Sequence, residues 1–361
     1  MRYELPLSDS LQRKFDALAE RLEVRVLASG RGGDSTFELV PPRALDGARF
    51  WAGLPVRIAR QLRRFRPDAV LAQSAYEAAA ALAARHIAGH GTPVLVDVHG
   101  DWRTSTRLYG SPLRRALSPL ADRVSLAALR RADGVRTVSA YTTDLTRAVG
   151  VEPADVFPAF MDLEPFEEPA VQPLPERPSA LFVGVLELYK NVDGLADAWR
   201  LAAPRVPEAT LRIVGRGSRA DVVERLVAEL PEQTTWTPAL ATDEVAAAMD
   251  AATALVLPSR SEGMGRVVVE ALLRGRPVVG TRVGGIRDLV RDGENGMLVE
   301  PGDTAALADA LVRVLSYPAF AEPLAARARP SVEPWLATPE EYAARLHALV
   351  TRFSRPRLDR S

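Results

Sequence analysis

The chain has 361 residues, 47% of them hydrophobic, enough for about two globular domains of roughly 100–200 residues, each with its own core. Its 46 Lys and Arg balance 46 Asp and Glu, so no net charge draws it toward nucleic acid, and a cysteine count of 0 excludes disulfides and thiolate metal sites. Of the four histidines only His86 and His90 stand at a paired spacing, with no cysteine to complete a structural metal site; no run approaches the ~20 apolar residues of a spanning helix, and the opening Met1-Arg2-Tyr3-Glu4-Leu5 has no apolar signal core, so a cytoplasmic protein is the simplest expectation.

Short apolar runs alternate with amphipathic stretches, which predicts an α/β chain of parallel sheets covered by helices. The chain opens almost at a turn, Leu5-Pro6-Leu7-Ser8-Asp9, that leads into a helix over Ser10 to Leu22. A first strand at this point is apparently truncated: either Met1 to Leu5 is its rudiment or the true start lies upstream. Strands are predicted at Val24 to Ala28, Ala69 to Ala72, Val94 to Val98 and Gly134 to Val138. Arginines cluster at Arg57, Arg60, Arg63, Arg64 and Arg66, with Leu62 and Phe65 interleaved, and again at Arg114, Arg115, Arg130 and Arg131. A basic amphipathic helix can lie on an anionic membrane; a solvated face is the plainer reading. His99 directly follows the Val94 to Val98 strand, and strand carboxyl ends in open α/β sheets face the ligand crevice, so it is a candidate site residue.

Glu164 to Pro178 holds prolines at 165, 169, 173, 175 and 178 beside several carboxylates. That composition fits a linker better than a packed element. It places a first domain at 1–163, a linker at 164–178 and a second domain at 179–334. Second-domain strands are predicted at Ala180 to Val183, Leu211 to Val214, Thr234 to Trp236, Ala254 to Leu257 and Pro277 to Val279. A last segment, 335–361, carries a helix over Pro339 to Arg352.

The most informative stretch is Ser261-Glu262-Gly263-Met264-Gly265-Arg266-Val267-Val268-Val269-Glu270: a glutamate, a glycine turn, an apolar run, and a second glutamate eight positions after the first. A strand precedes it, and helical character from Val267 to Arg274 follows and stops at Gly275. Backbone N–H groups at such a helix start suit an anion such as phosphate. With carboxylates flanking that site, the ligand is expected to be both anionic and rich in hydroxyls. Gly215-x-Gly217-x-x-Ala220 after the strand Leu211 to Val214 matches a dinucleotide fingerprint in outline. A dehydrogenase carries it on the first strand of its nucleotide domain with an acid ending the second; here it follows the second strand, and Glu232 precedes a strand.

Together these segments resemble the family 4 retaining glycosyltransferases, from Leu181-Phe182-Val183-Gly184 with Lys190, through Gly215 and Gly217 and the Glu262/Glu270 pair, to Gly284-Gly285-Ile286, Asp292-Gly293-Glu294-Asn295-Gly296 and Pro301-Gly302-Asp303. Weaker parallels are Asp97-Val98-His99-Gly100-Asp101, Arg131-Ala132-Asp133 and Val138-Ser139. The resemblance implies the GT-B fold, two Rossmann-like doubly wound domains facing across a cleft, with the terminal segment crossing back to the first domain. It implies transfer of a sugar from a nucleotide-diphosphate-sugar donor to a glycan or lipid-linked acceptor, retaining configuration and needing neither metal nor cofactor. A place at the inner face of the membrane follows from family habit.

In that reading Lys190, Glu262 and His99 are catalytic, with Lys190 on the donor diphosphate, Glu262 on the transferred sugar and His99 contacting that sugar from the first domain. Glu270 holds the ribose hydroxyls, the turn Gly263-Met264-Gly265 with Arg266 and Val267 caps the phosphates, and Gly184, Gly215 and Gly217 let the backbone approach the donor. Asp101 and Trp102 line the acceptor pocket, the Trp being equally suited to packing. The family commonly has an arginine just after the first glycine, where this chain has Val185; Arg266 and Arg216 are candidates to replace it. Val185 and the short first strand keep open an inactive GT-B partner protein. A sugar-nucleotide epimerase and a dehydrogenase are the remaining alternatives.

Overall fold

A computed structural model describes residues 2–41, 46–104, 117–167 and 170–354. The chain divides into two compact units, one built from residues up to Asp162 together with Ala337 onward, the other spanning Leu163–Leu336.

In the first unit, β1 (Arg2–Glu4), β2 (Val26–Arg31) and β3 (Phe37–Val40) form one parallel sheet. A second parallel sheet takes β4 (Val70–Ala72), β5 (Val94–Val98), β6 (Gly134–Thr137) and β7 (Asp155–Val156) in that order. β5, Val-Leu-Val-Asp-Val, is buried at every position, as expected of a parallel strand covered on both faces. The helix Pro339–Phe353 starts on a capping box between Thr338 and Glu341 and contributes Tyr342, Leu346 and Leu349 to a core shared with Leu18, Leu95 and Phe157. The amino-terminal helix runs Asp9–Ala19, three residues shorter at its end than the sequence pattern suggests.

The second unit has one six-stranded parallel sheet, in the order β10-β9-β8-β11-β12-β13. Its strands are β8 (Ser179–Val183), β9 (Thr210–Val214), β10 (Thr234–Thr237), β11 (Ala254–Leu257), β12 (Val278–Thr281) and β13 (Gly296–Val299). Counted within the unit, that is third, second, first, fourth, fifth, sixth. The order reverses between β8 and β11, and ligands of open α/β sheets bind beyond the carboxyl ends of the strands at such a switch point.

The proline-rich segment is not a free linker; it belongs to the second unit. Glu164–Glu167 is a short helix that buries Phe166. Arg274 and Arg276, both fully buried, donate to the carbonyls of Ala170 (3.0 Å), Gln172 (2.5 Å) and Pro173 (3.2 Å), and Asp250 neutralises Arg274 at 2.7 Å. Prolines remove donors but leave carbonyls, and here guanidinium groups about a hundred residues away satisfy those carbonyls. Composition alone could not reveal those partners.

Candidate functional site

In the second unit, the loops after β8 and β11 flank the switch point and are tied together. Lys190 ends a short 3-10 turn, Leu188–Lys190, after β8. Its ammonium pairs with Oε2 of Glu262, which lies in the loop after β11. Both side chains are largely buried, and the Tyr189 ring lies 5.4 Å from the ammonium. Backbone links hold the loops in place: Arg260 N donates to Tyr189 O at 2.7 Å, and its guanidinium donates to Asn191 Oδ1 at 3.0 Å. The sequence reading passed over Arg260 and Asn191. Asn191 sits at φ 56, a left-handed value that Asn tolerates better than most residues, and its place one residue before a helix was the available signal.

Gly265, at φ 79, is the left-handed residue from which the helix Arg266–Leu273 starts. The first N–H groups of a helix have no intrahelical acceptor, and an end of this kind suits an anion. Gly284 and Gly285 pack behind the turn. A Cβ on Gly284 would meet the Glu262 carbonyl oxygen at 1.7 Å, and one on Gly285 would meet the Gly263 oxygen at 2.6 Å. Only glycine lets the Gly284-Gly285 turn back the Glu262 to Met264 loop.

Glu270 is buried on that helix and accepts from Arg266 Nε at 2.5 Å. Burial pushes its carboxyl pKa up, and the Arg266 guanidinium only partly offsets this. With the folded pKa raised, the protonated form is favoured in the fold, so ionising Glu270 costs stability as pH rises from the unfolded pKa through the folded one. A buried carboxylate kept ionised at that cost has one salt partner among the described residues, Arg266.

Gly215 and Gly217 lie against the backbone of the loop after β8. At φ +148, Gly215 would place a Cβ 1.8 Å from the Gly184 carbonyl oxygen, and a Cβ on Gly217 would lie 2.3 Å from the Leu186 oxygen. These glycines admit the neighbouring loop after β8, which Leu186 N to Arg216 O (2.8 Å) and Glu187 to Ser218 fasten in place. Val185 is exposed, and so is Arg216 at the end of β9. Arg266 is engaged by Glu270.

In the first unit, His99 follows β5, and its Nε2 lies 3.2 Å from Gln73 Oε1 at the end of β4 and 3.7 Å from Asp97 Oδ2. Asp97 is fully buried and receives Arg136 Nη1 at 2.8 Å; Arg136 also donates to the Phe157 and Pro158 carbonyls and stacks on the Phe157 ring. Burial alone would raise the Asp97 pKa, but the Arg136 charge and then the His99 ring outweigh it, and the pKa lies below the usual carboxylate value. A charged residue inside each of two apolar strands, Asp97 in β5 and Arg136 in β6, was the sequence signal for this pair. Asp101 is held by Arg103 through two bonds of 2.8 Å. Trp102 is not a stacking platform: its side chain is buried in the core with Ala75, Val96 and Leu129. Of the arginine clusters, Leu62 faces inward and is buried, Arg63 donates to the Ile87 carbonyl, and Arg114 and Arg115 lie outside the described residues.

Asp97→Asn leaves the Arg136 guanidinium buried without its counter-charge, and we expect a loss of about 3–5 kcal/mol. Because the folded Asp97 pKa is depressed, its contribution is complete above the unfolded value of ~3.9 and is lost as pH falls through the folded one. Urea midpoints across acid pH should therefore fall less steeply in the variant. A variant as stable as the parent at neutral pH would remove the ion pair from the account.

Two family models match the chain: "Glycosyltransferase Family 4" over residues 12–165 and "Glycosyl transferases group 1" over residues 177–317. It is 33% identical over 269 residues to a 2-deoxystreptamine glucosyltransferase of Streptomyces kanamyceticus, covering 68% of this chain and 66% of that protein. It is 30% identical over 292 residues to a glycogen synthase of Mycobacterium tuberculosis, covering 79% and 69%. Among solved structures, a sucrose-phosphate synthase of Thermosynechococcus elongatus superposes with TM-score 0.75 at 21% identity, over 97% of this chain and 94% of the other. HepE of Anabaena in complex with UDP-glucose superposes with TM-score 0.70 at 19% identity, over 97% and 98%.

Proposed function

The chain belongs to the group 1, family 4 glycosyltransferases of GT-B fold, and on that premise we propose that it moves a sugar from a nucleotide-diphosphate-sugar donor to a glycan or lipid-linked acceptor with retention of configuration. The observation that carries this reading is the Lys190–Glu262 pair across the switch point of the second unit, beside the helix end at Gly265. When the glycosidic bond breaks, negative charge grows on the departing diphosphate. Lys190 and the N–H groups at Arg266 and Val267 meet that charge where it develops, so the proposed step calls for no metal. Glu262, released by Lys190 to the sugar hydroxyls, and Glu270, turned to the ribose diol, act as hydrogen-bond acceptors rather than as acid or base. A carboxylate already engaged in this way is not a free nucleophile, which favours departure and attack on the same face of the sugar.

The first unit's share in this reading is His99, steadied by Gln73 and Asp97. Its basic helix also exposes Val56 beside Arg60, Arg63 and Arg64, a composition suited to peripheral contact with an anionic membrane. No helix among the described residues is long and apolar enough to cross one.

The test is thermal stabilisation by UDP, GDP, ADP and NAD, measured in the parent and in Glu270→Ala. UDP is the first probe because the HepE structure contains UDP-glucose. One nucleoside diphosphate should stabilise the parent by about 2.7 kcal/mol at 100-fold excess over its Kd, and the variant should lose that response. In the parent, affinity should weaken as pH falls through the raised Glu270 pKa, because a protonated carboxyl accepts fewer bonds from a diol. No response to any nucleotide in a folded protein would favour the inactive partner, and a response to NAD alone would favour the dehydrogenase.

A further inference from the structure

The two ring nitrogens of His99 have different surroundings. Nε2 faces Gln73 Oε1 at 3.2 Å and Asp97 Oδ2 at 3.7 Å, the second of these beyond hydrogen-bond reach. Nδ1 has no hydrogen-bond partner among the described residues. Gln73 is held at both ends. Its backbone N–H donates to Glu77 Oε2 at 2.8 Å, at the Ser74-capped start of the helix Ala75–Ala88, and its side-chain amide lies 3.2 Å from Asp97 Oδ2.

Which end of an amide is the nitrogen is decided by its neighbours. Asp97 is fully buried and holds its charge beside Arg136 at 2.8 Å, and an ionised carboxylate only accepts. The NH2 group of Gln73 must therefore turn to Asp97, because the reverse placement would press the amide oxygen against a carboxylate oxygen at 3.2 Å. The amide oxygen is left to His99. An oxygen of this kind also only accepts, so Nε2 must carry the hydrogen. The Asp97 carboxylate behind it favours the same arrangement.

We infer that Gln73 is a positioning residue: it passes the order of the Arg136–Asp97 pair to His99 and holds the neutral ring as the Nε2–H tautomer, with Nδ1 as a hydrogen-bond acceptor. The Asp97 charge is already matched by Arg136, so it does not call a second proton onto the ring. Nδ1 in this state takes a bond from a hydroxyl and none from an ionised carboxylate or phosphate oxygen, which has no hydrogen to give. This rests on the reading of His99 as a contact of the transferred sugar, and it makes that contact a sugar hydroxyl donating to the ring.

The test is the 15N spectrum of the histidine rings in the parent, Gln73→Met and Gln73→Lys, with the His99 signals located by their loss in His99→Asn. The parent should show one neutral tautomer, protonated at Nε2. Lysine has donors only, so Gln73→Lys should reverse the ring to Nδ1–H. Methionine offers no donor of its own, so Gln73→Met should release the ring to a mixture; it also adds no charge, and keeps the test readable where the lysine variant does not fold. Release of UDP from UDP-glucose should fall in Gln73→Lys by about 5- to 150-fold in kcat/KM, the range for one mismatched buried hydrogen bond. Three spectra would overturn the inference: a neutral parent ring protonated at Nδ1, a doubly protonated ring at the pH of the rate measurement, or one tautomer shared by the parent and both variants. UDP release at the parent rate in His99→Asn would overturn the hydroxyl contact. Failure of the donor site in the second unit would be seen separately, as a missing nucleotide response, and would leave these spectra unchanged.

Discussion

Lys190→Ala should lower kcat for sugar transfer by about 100- to 1,000-fold, the loss seen when one preorganised donor is removed from a developing anion. Two effects compete in this variant. Removing the ammonium strips Glu262 of its salt partner among the described residues and leaves a largely buried carboxylate without a counter-charge. That affects ground-state binding of the donor and appears in KM. The second effect is the diphosphate charge, which is greatest once the glycosidic bond is breaking, and it appears in kcat. In the free protein Lys190 already has a counter-charge, so the donor gains only the difference between two partners on binding. Most of the ammonium's value is therefore expressed in the transition state, and kcat should fall more than KM rises. Lys190→Arg should restore part of the rate, since the charge returns in a different shape. If Lys190→Ala transfers sugar within a few-fold of the parent, the Lys190–Glu262 pair is a structural tie and not the catalytic centre.

The parts of this site that were legible in the sequence are those whose signals are local. Glu262, Gly265 and Glu270 lie within one strand-turn-helix passage, and Lys190 follows a strand by a few residues, so punctuation by glycine and apolar runs locates them. β5 and β11 match their apolar runs end to end for the same reason. The strands that escaped notice are short and lie at or near sheet edges: β3 at Phe37–Val40, β7 at Asp155–Val156 and β13 at Gly296–Val299. Their pairing is decided by a neighbouring strand, not by their own pattern. Non-local contacts account for the other misses. Trp102 looks like a site residue beside His99 and Asp101, but its burial depends on Ala75 and Leu129 in distant helices. The proline-rich segment looks free because Arg274 and Arg276, which hold its carbonyls, come about a hundred residues later. Gly215 and Gly217 signal a close approach correctly; what approaches is the loop of Gly184 and Leu186.

The glycine turn behind Glu262 gives the second large effect. Gly284→Ala should destabilise the second unit by about 3–5 kcal/mol, combining a left-handed backbone with an overpacked contact. Its φ is +51, and the new Cβ would fall 1.7 Å from the Glu262 carbonyl oxygen and 2.7 Å from the carbonyl carbon. Backbone cannot swing aside as a flexible side chain can, so either the turn or the Glu262 loop must move. Gly302 separates the two contributions. It also has a positive φ, +86, but a Cβ there meets nothing within 4 Å. Gly302→Ala therefore carries only the conformational cost, about 1–2 kcal/mol. The difference between the two urea unfolding free energies isolates the contact with Glu262. The functional readout should separate more sharply. Gly302→Ala should transfer sugar at close to the parent rate, while Gly284→Ala should lose about 100-fold of it even where the unit remains folded, because a displacement of about 1 Å at a positioned group is enough to cost that much. Equal costs at both glycines, with sugar transfer intact in both, would mean that the Gly284-Gly285 turn does not set the position of Glu262.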